Sequence, residues 1–468
     1  MSRLAEDIST SEEKDLFKRM VSMVDLGKVD AVKETLMRSP KGQIKSCMEN
    51  YVRVLRTDPL LMGSLRFNLL NEQIDVVKKL WWNEEKCVMG NKGRNFLYYF
   101  FEKYYGLANE KNMDKALMFE ANSKSYHPIQ EYLEALEWDG QERIRYVLKK
   151  YMGADDSDLV YETLKHFMMG ALRRVYEPGS KMDEMLCLVG QQGAGKSTFF
   201  RFLALNDAWY SDALRNLSDS KIYEVLRGHW ILEMSEMIAA ISAKSNEEIK
   251  SFLSRQKETH RNPYDKFEED HPRQCVIAGS TNNRQFIPFD RTGARRFLPI
   301  EIDSSRAEKH ILDNEAEARE YFDQLWAEAM VIYDAQPKKS KLLKFSPEMQ
   351  KEIDEYRKQF MQEDTMAGTV QGWLDNYDGD YVCTKLIWKE AFDHPTGEPK
   401  KFETNEIAQI LDTQIVGWKR GKQHRFTKEG LGSQRSWVRE GFDESVNEPD
   451  EDGFVKIPEG EQMTIPFI

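Results

Sequence analysis

The chain has 468 residues, 40% of them hydrophobic and 31% charged, with a formal net charge of −12. That length exceeds one ordinary core and predicts several domains, while the composition excludes collagen-like and low-complexity classes. No apolar run reaches transmembrane length, and the polar, acidic opening MSRLAEDISTSEEKD lacks the features of a secretory or transit peptide, so a cytoplasmic location without membrane contact is expected. The acidic total argues against nucleic-acid binding over the whole surface but leaves a local basic channel open. The five cysteines form no C-x-x-C pair and the eight histidines no H-E-x-x-H cluster, so neither a zinc site nor a disulfide framework is expected.

In chain order, residues 1–122 read as a mainly helical N-terminal domain, with apolar positions at helical spacing in DLFKRMVSMVDLG and NFLYYFFEKYYGL. Between them GSLRFNLLNEQIDVVKKLWW alternates as a hairpin does, and the stripe Phe96, Tyr99, Phe100, Tyr104 predicts core packing rather than a base-stacking platform. The polar NSKSYHP marks a boundary, followed at 123–180 by a lead-in of short helices. Residues 181–335 alternate short apolar runs (MLCLV, HWILEM, QCVIAGS, RFLPIEI) with helical stretches, which predicts an α/β domain with a parallel sheet covered on both faces. Residues 336–443, opening with lysine-rich PKKSKLLKF and a charged helix around 348–363, form a separate C-terminal unit. Residues 444–468 are an acidic tail.

The run MLCLV leads into Gly190-Gln191-Gln192-Gly193-Ala194-Gly195-Lys196-Ser197-Thr198, which fills the pattern G-x-x-x-x-G-K-[ST] of a P-loop. A buried strand, a glycine loop whose N–H groups turn inward and a following helix N-terminus together make an anion cradle for ATP. Lys196 reaches the β- and γ-phosphate oxygens, and Ser197 places its hydroxyl on Mg²⁺. The next apolar run ends in Glu233 and Glu236. Carboxylates at a strand tip beside such a loop suit a metal ligand and a water-polarising base. Glu233 is assigned to the metal and Glu236 to the water, roles the sequence leaves exchangeable. The third run ends at Asn282, an amide placed to sense the γ-phosphate and orient water. Arg291, Arg295 and Arg296 precede the fourth run, and an arginine there suits charge stabilisation across a subunit boundary.

In that order GQQGAGKST, RGHWILEMSEM, KSFLSRQKETHRNPYDKFEEDHPRQCVIAGSTN and RTGARRFLPIEI resemble the virulence-associated protein E family, whose ATPase resembles superfamily 3 helicases of the AAA+ class. The upstream YHPIQEYLEALEWDGQERI resembles that family's lead-in, so the likeness spans about residues 60–305. It implies a hexameric ring ATPase in phage or pathogenicity-island DNA replication. Lys196 and Ser197 then belong to Walker A, Glu233 and Glu236 to Walker B, Asn282 to the sensor, and Arg295 or Arg296 to the trans-acting finger. The three-residue spacing of the Walker B acids departs from the adjacent acids of many superfamily 3 proteins. Such rings place a DNA-tracking hairpin between Walker B and the sensor strand, where this chain has Lys257, Arg261, Tyr264 and Lys266.

The C-terminal unit reads, without the family's help, as two short helices (CTKLIWKEAF, ETNEIAQILDT) and then a strand, a basic loop and a strand, the order of a winged helix. Its cations include Lys419, Arg420, Lys422 and Arg425. With Trp418 and Trp437 they suit duplex DNA contact. The leading expectation is therefore an ATP- and Mg²⁺-dependent DNA helicase or translocase acting on single-stranded and forked DNA as a ring of identical subunits. A primase or replication initiator is a further candidate partner. The alternatives are an ATP-regulated DNA-binding protein that does not unwind, and a small-molecule kinase, which leaves Asn282 unexplained.

Overall fold

A computed structural model describes residues 11–442 apart from 215–216, 218–221, 236–242, 261–267, 289–293 and 337–342. The chain divides into two compact units, residues 1–362 and 363–468. The first begins with helices α1 (Ser11–Met23), α2 (Leu26–Thr35) and α3 (Met48–Thr57). Strands β1 (Leu65–Asn68), β2 (Gln73–Val76) and β3 (Cys87–Val88) form an antiparallel sheet in that order, and α4 (Asn91–Phe100) and α5 (Glu110–Asn122) follow. The hairpin lies where the alternation predicts it. Phe100 stacks on Trp81 with ring centroids 5.2 Å apart, Tyr104 is buried, and Phe96 and Tyr99 are half-buried, so the aromatic stripe is core. The stretch at 122–128 is not a loose linker. The Tyr126 N–H donates to Phe67 and its carbonyl accepts from Leu69, both at 2.9 Å, which sews this segment onto β1.

Helices α6 (Pro128–Glu134), α7 (Val147–Met152) and α8 (Asp158–Tyr176) form the lead-in. Proline suits the first turn of α6, where its missing N–H has no partner to lose, and the Ser157 hydroxyl caps α8 by accepting from the Val160 N–H. The central sheet uses β4 (Met185–Val189), β5 (Tyr210–Ser211), β6 (Ile231–Ser235), β9 (Val276–Thr281) and β10 (Phe297–Glu301), all parallel, in the order β10-β4-β9-β6-β5. Helices α9 (Lys196–Leu203), α10 (Ile222–Leu226) and α11 (Ala243–Ser254) lie between these strands in sequence. An antiparallel hairpin of β7 (Lys257–His260) and β8 (Glu269–Pro272) precedes β9.

Strand residues alternate between two cores. Leu186 and Leu188 pack with α8, α9 and α12 (Glu315–Ala335), while Met185, Cys187 and Val189 pack with α10 and α11. Burial on both faces is why these strands read as continuous apolar runs. Each fully buried Leu or Phe contributes about 1.5–3 kcal/mol. Helix α13 (Pro347–Lys358), expected in the C-terminal unit, belongs to the first. The Arg357 guanidinium, 4% exposed, donates to the Phe297 carbonyl at 2.7 Å and fixes α13 on β10, so the unit boundary falls after 362 rather than at 336.

The second unit runs α14 (Thr365–Asp375), β11 (Tyr381–Val382), α15 (Thr384–Glu390), α16 (Lys401–Thr413), β12 (Trp418–Phe426) and β13 (Gly432–Arg439), with an antiparallel sheet ordered β11-β13-β12. The basic residues lie along β12 itself, not in a loop between two strands as expected. A second correction concerns the tryptophans. Trp418 and Trp437 are 5% and 1% exposed and pack in the unit's core, the Trp437 indole donating to Asp412 at 2.8 Å, so they are unavailable to DNA. The acidic tail at 444–468 lies outside the described residues.

Candidate active site

The glycine loop connects the C-terminal end of β4 to the first residue of α9. Gly193 and Gly195 sit at φ +80° and +81°, a left-handed conformation that lets the loop curl with its N–H groups inward. Gly190 is required for another reason: a Cβ there would stand 2.6 Å from both Cγ1 and the carbonyl oxygen of Ile302, which follows the neighbouring strand β10. The first-turn N–H groups of α9 have no intrahelical acceptors and place positive partial charge at the end of the helix that the loop leads into.

Lys196 is 8% exposed, and its ammonium donates to the carbonyls of Gly190 (2.7 Å) and Gln191 (2.8 Å) and to Oδ1 of Asn282 (2.8 Å). Burial lowers its pKa and the charge of Glu233 opposes that shift. Asn282 stands just past β9, so the sheet order that puts β9 beside β4 brings these two residues together. On the next strand, the carboxylate of Glu233 is wholly buried. Its Oε1 accepts from Ser197 Oγ at 2.9 Å and, at short range, from Ser280 Oγ; its Oε2 accepts a short hydrogen bond from the Tyr210 hydroxyl. Burial and then the Glu233 charge hold the Tyr210 pKa well above its ordinary value, so this phenol remains a donor.

Lys196, Ser197, Ser280 and Asn282 border a cleft of about 570 Å³ lined by residues 192–198, Ser235 and residues 280–283. Hydroxyl and carboxylate oxygens 2.9 Å apart at a glycine-loop helix are the hard donors that suit Mg²⁺ shared with phosphate, a cation that takes one or two protein carboxylates and fills its shell with water and phosphate oxygens. The buried ammonium and inward N–H groups suit the phosphates themselves. The residues present thus fit Mg²⁺–ATP.

Two contributors to this cluster escaped the sequence reading. Tyr210 lies on β5, two residues long and too polar to show a strand period. Ser280 precedes Asn282 on a strand already identified, but only the pairing of β6 with β9 puts it against Glu233. Glu236, Arg261, Tyr264 and Lys266 lie outside the described residues. Lys257 is exposed on β7 and ion-paired with Asp270 on β8. Arg295 and Arg296 precede β10 at the opposite end of the sheet from the loop, so the five residues of β10 set them about 16 Å from the cradle. Arg296 donates to Ser254 Oγ at 3.0 and 3.2 Å. Arg295 is exposed, with no partner for its guanidinium among the described residues, and opens on a second cleft of about 520 Å³ beside Arg173, Lys181, Glu184 and Arg357. Lys419, Arg420, Lys422 and Arg425 are exposed on β12, where Arg420 pairs with Asp412 at 3.2 Å.

Residues 133–362 match the family model of the virulence-associated protein E-like domain. The chain carries a virulence-associated protein E-like domain. That span contains Lys196, Ser197, Glu233 and Asn282, as the motif resemblance implies. Solved structures similar to the chain include an A-form apo structure of the NrS-1 C-terminal region (305–718), at 14% identity and TM-score 0.45, covering 84% of this chain and all of that one. A second apo structure of the same region aligns at 14% identity and TM-score 0.44, over 80% of this chain and 95% of that one. A comparison with curated proteins finds no match. Among the described residues no helix is long and apolar enough to cross a membrane.

Proposed function

We propose that this chain is an ATP-driven, ring-forming DNA helicase or translocase acting in the replication of a phage or other mobile element. The observation that carries the reading is the convergence of Lys196 and Ser197, Glu233, and Asn282, from three separate stretches of sequence, at the C-terminal edge of a parallel sheet, where Lys196, Ser197 and Asn282 line one cleft and Glu233 is hydrogen-bonded to Ser197. The virulence-associated protein E-like domain supports the biological setting.

When bound, Mg²⁺–ATP supplies the scissile phosphoanhydride bond and the metal's positive charge. The residues do the rest. The loop N–H groups and Lys196 bind the phosphate oxygens, Lys196 exchanging its carbonyl partners for them. Ser197 and Glu233 hold the metal, and the hydroxyls of Tyr210 and Ser280 fix the orientation of Glu233. Asn282 reports the γ-phosphate position to β9, and Glu236 polarises the attacking water. Arg295 is the better of the two finger candidates, since Arg296 is held by Ser254 while Arg295 is exposed. Because both stand about 16 Å from their own cradle, an arginine finger here acts in a neighbouring subunit's site. Single-stranded DNA runs past the β7–β8 hairpin, and residues 363–442 form a winged-helix-like module whose strand β12 contacts duplex phosphates.

The test is phosphate release with and without single-stranded DNA, on protein sized with a non-hydrolysable ATP analogue. DNA-stimulated turnover by a ring is the expected result. Hydrolysis indifferent to DNA sinks the motor, and ATP-dependent assembly without unwinding of a fork favours the regulatory alternative.

A further inference from the structure

The turn between β1 and β2 lies far from the nucleotide cleft in sequence, yet it docks on the entry ends of the two strands that build that cleft. Its Leu70 carbonyl accepts from the Gly228 N–H at 3.1 Å, three residues before β6, and its Leu69 carbonyl accepts from the Gln274 side chain at 2.9 Å, two residues before β9. The same turn holds Glu72, a non-glycine residue at φ +54°. One carboxylate oxygen accepts from the Tyr223 hydroxyl at 2.6 Å and the other pairs with His271 Nδ1 at 2.8 Å.

Those partners belong to different elements. Tyr223 is on α10, which leads into β6 and thus to Glu233. His271 is on β8, which leads through three residues into β9 and thus to Asn282. The Tyr223 ring also packs against the rings of both His260 on β7 and His271 on β8, with centroids 4.9 and 4.4 Å away. Glu72 therefore ties the base of the hairpin to the lead-in of the Glu233 strand. A left-handed glutamate persists only where its surroundings over-determine it, and here the two side-chain bonds supply that constraint.

We propose that Glu72 is a positioning residue: the N-terminal region reaches through it to hold the β7–β8 hairpin in a fixed relation to the nucleotide strands. Where the motor reading above holds, this makes the N-terminal region the part that sets how strongly DNA at the hairpin is felt at the cleft.

Glu72→Gly is the informative variant, because glycine accepts φ +54° without strain while the side chain that bonds Tyr223 and His271 is removed, and Glu72→Gln isolates the carboxylate's charge. Hydrogen exchange of the full chain without nucleotide decides the proposal by itself. Amides of 257–260 and 269–271 should exchange about 10-fold faster in Glu72→Gly, those of β4 and α9 should be unchanged, and Glu72→Gln, which keeps a neutral acceptor for Tyr223, should fall between. Hairpin amides that exchange as in the wild type, in a variant whose Tm lies within about 2 °C of it, overturn the proposal. Turnover reads the second layer: Glu72→Gly should lose DNA stimulation while unstimulated hydrolysis stays within about two-fold. Wild-type hydrolysis that ignores DNA, beside a hairpin loosened by Glu72→Gly, overturns the motor reading and supports Glu72 as the hairpin's anchor.

Discussion

The candidate nucleotide cleft and strand β12 both present cations, and they hold that charge in opposite ways. Lys196 is buried, bonded to three fixed oxygens and reinforced by a carboxylate with three hydroxyl donors of its own. Lys419 and Arg425 stand in water on an edge strand. In low dielectric a single misplaced group alters the whole cleft, whereas exposed charges act nearly independently and are screened by salt. The cleft presents one fixed geometry, and β12 a row of separately solvated charges.

Breaking the cleft should give the largest effects. Lys196→Ala should lower phosphate release by at least about 100-fold with little change in Tm, since the lysine's role lies with the ligand. Glu233→Ala should abolish turnover and also cost about 2–4 kcal/mol in urea denaturation, because it leaves a cavity and strands the hydroxyls of Ser197, Ser280 and Tyr210. Gly190→Ala should cost about 1–3 kcal/mol by the same measurement, as its Cβ collides with Ile302.

The second unit sharpens the contrast. Trp437→Phe should lose about 1 kcal/mol through the Asp412 bond and leave duplex affinity unchanged; a fall in affinity at constant stability would return this tryptophan to the DNA surface. Lys419→Ala and Arg425→Ala should each weaken duplex binding only about three-fold, with the slope of log affinity against log salt reduced by about 0.9 per lost phosphate contact. A single-site loss of cleft size at β12 would overturn the comparison.

The difference also governs what was legible in sequence. Lys196, Ser197, Glu233 and Asn282 could be read because each ends or follows an apolar run, and burial on both sheet faces makes such runs unmistakable. Trp418 and Trp437 were misread for the converse reason: amid exposed lysines and arginines, alternation does not reveal which side of a two-faced strand meets the core. The placement of α13 in the first unit was equally hidden, since a charged helix gives no sign that one arginine, Arg357, is buried against β10.

By itself the sequence determined the strand–glycine loop–helix unit, the order of the apolar strands and the chemical types at their tips, because backbone conformational freedom and hydrophobic periodicity are local properties. Only the tertiary structure decided that β9 lies between β4 and β6, which joins Asn282 to Lys196 and Ser280 to Glu233. It also decided that a turn at Glu72 grips residues 151 and 199 positions downstream. Those pairings follow from which faces bury against one another, and no stretch of chain carries that information alone.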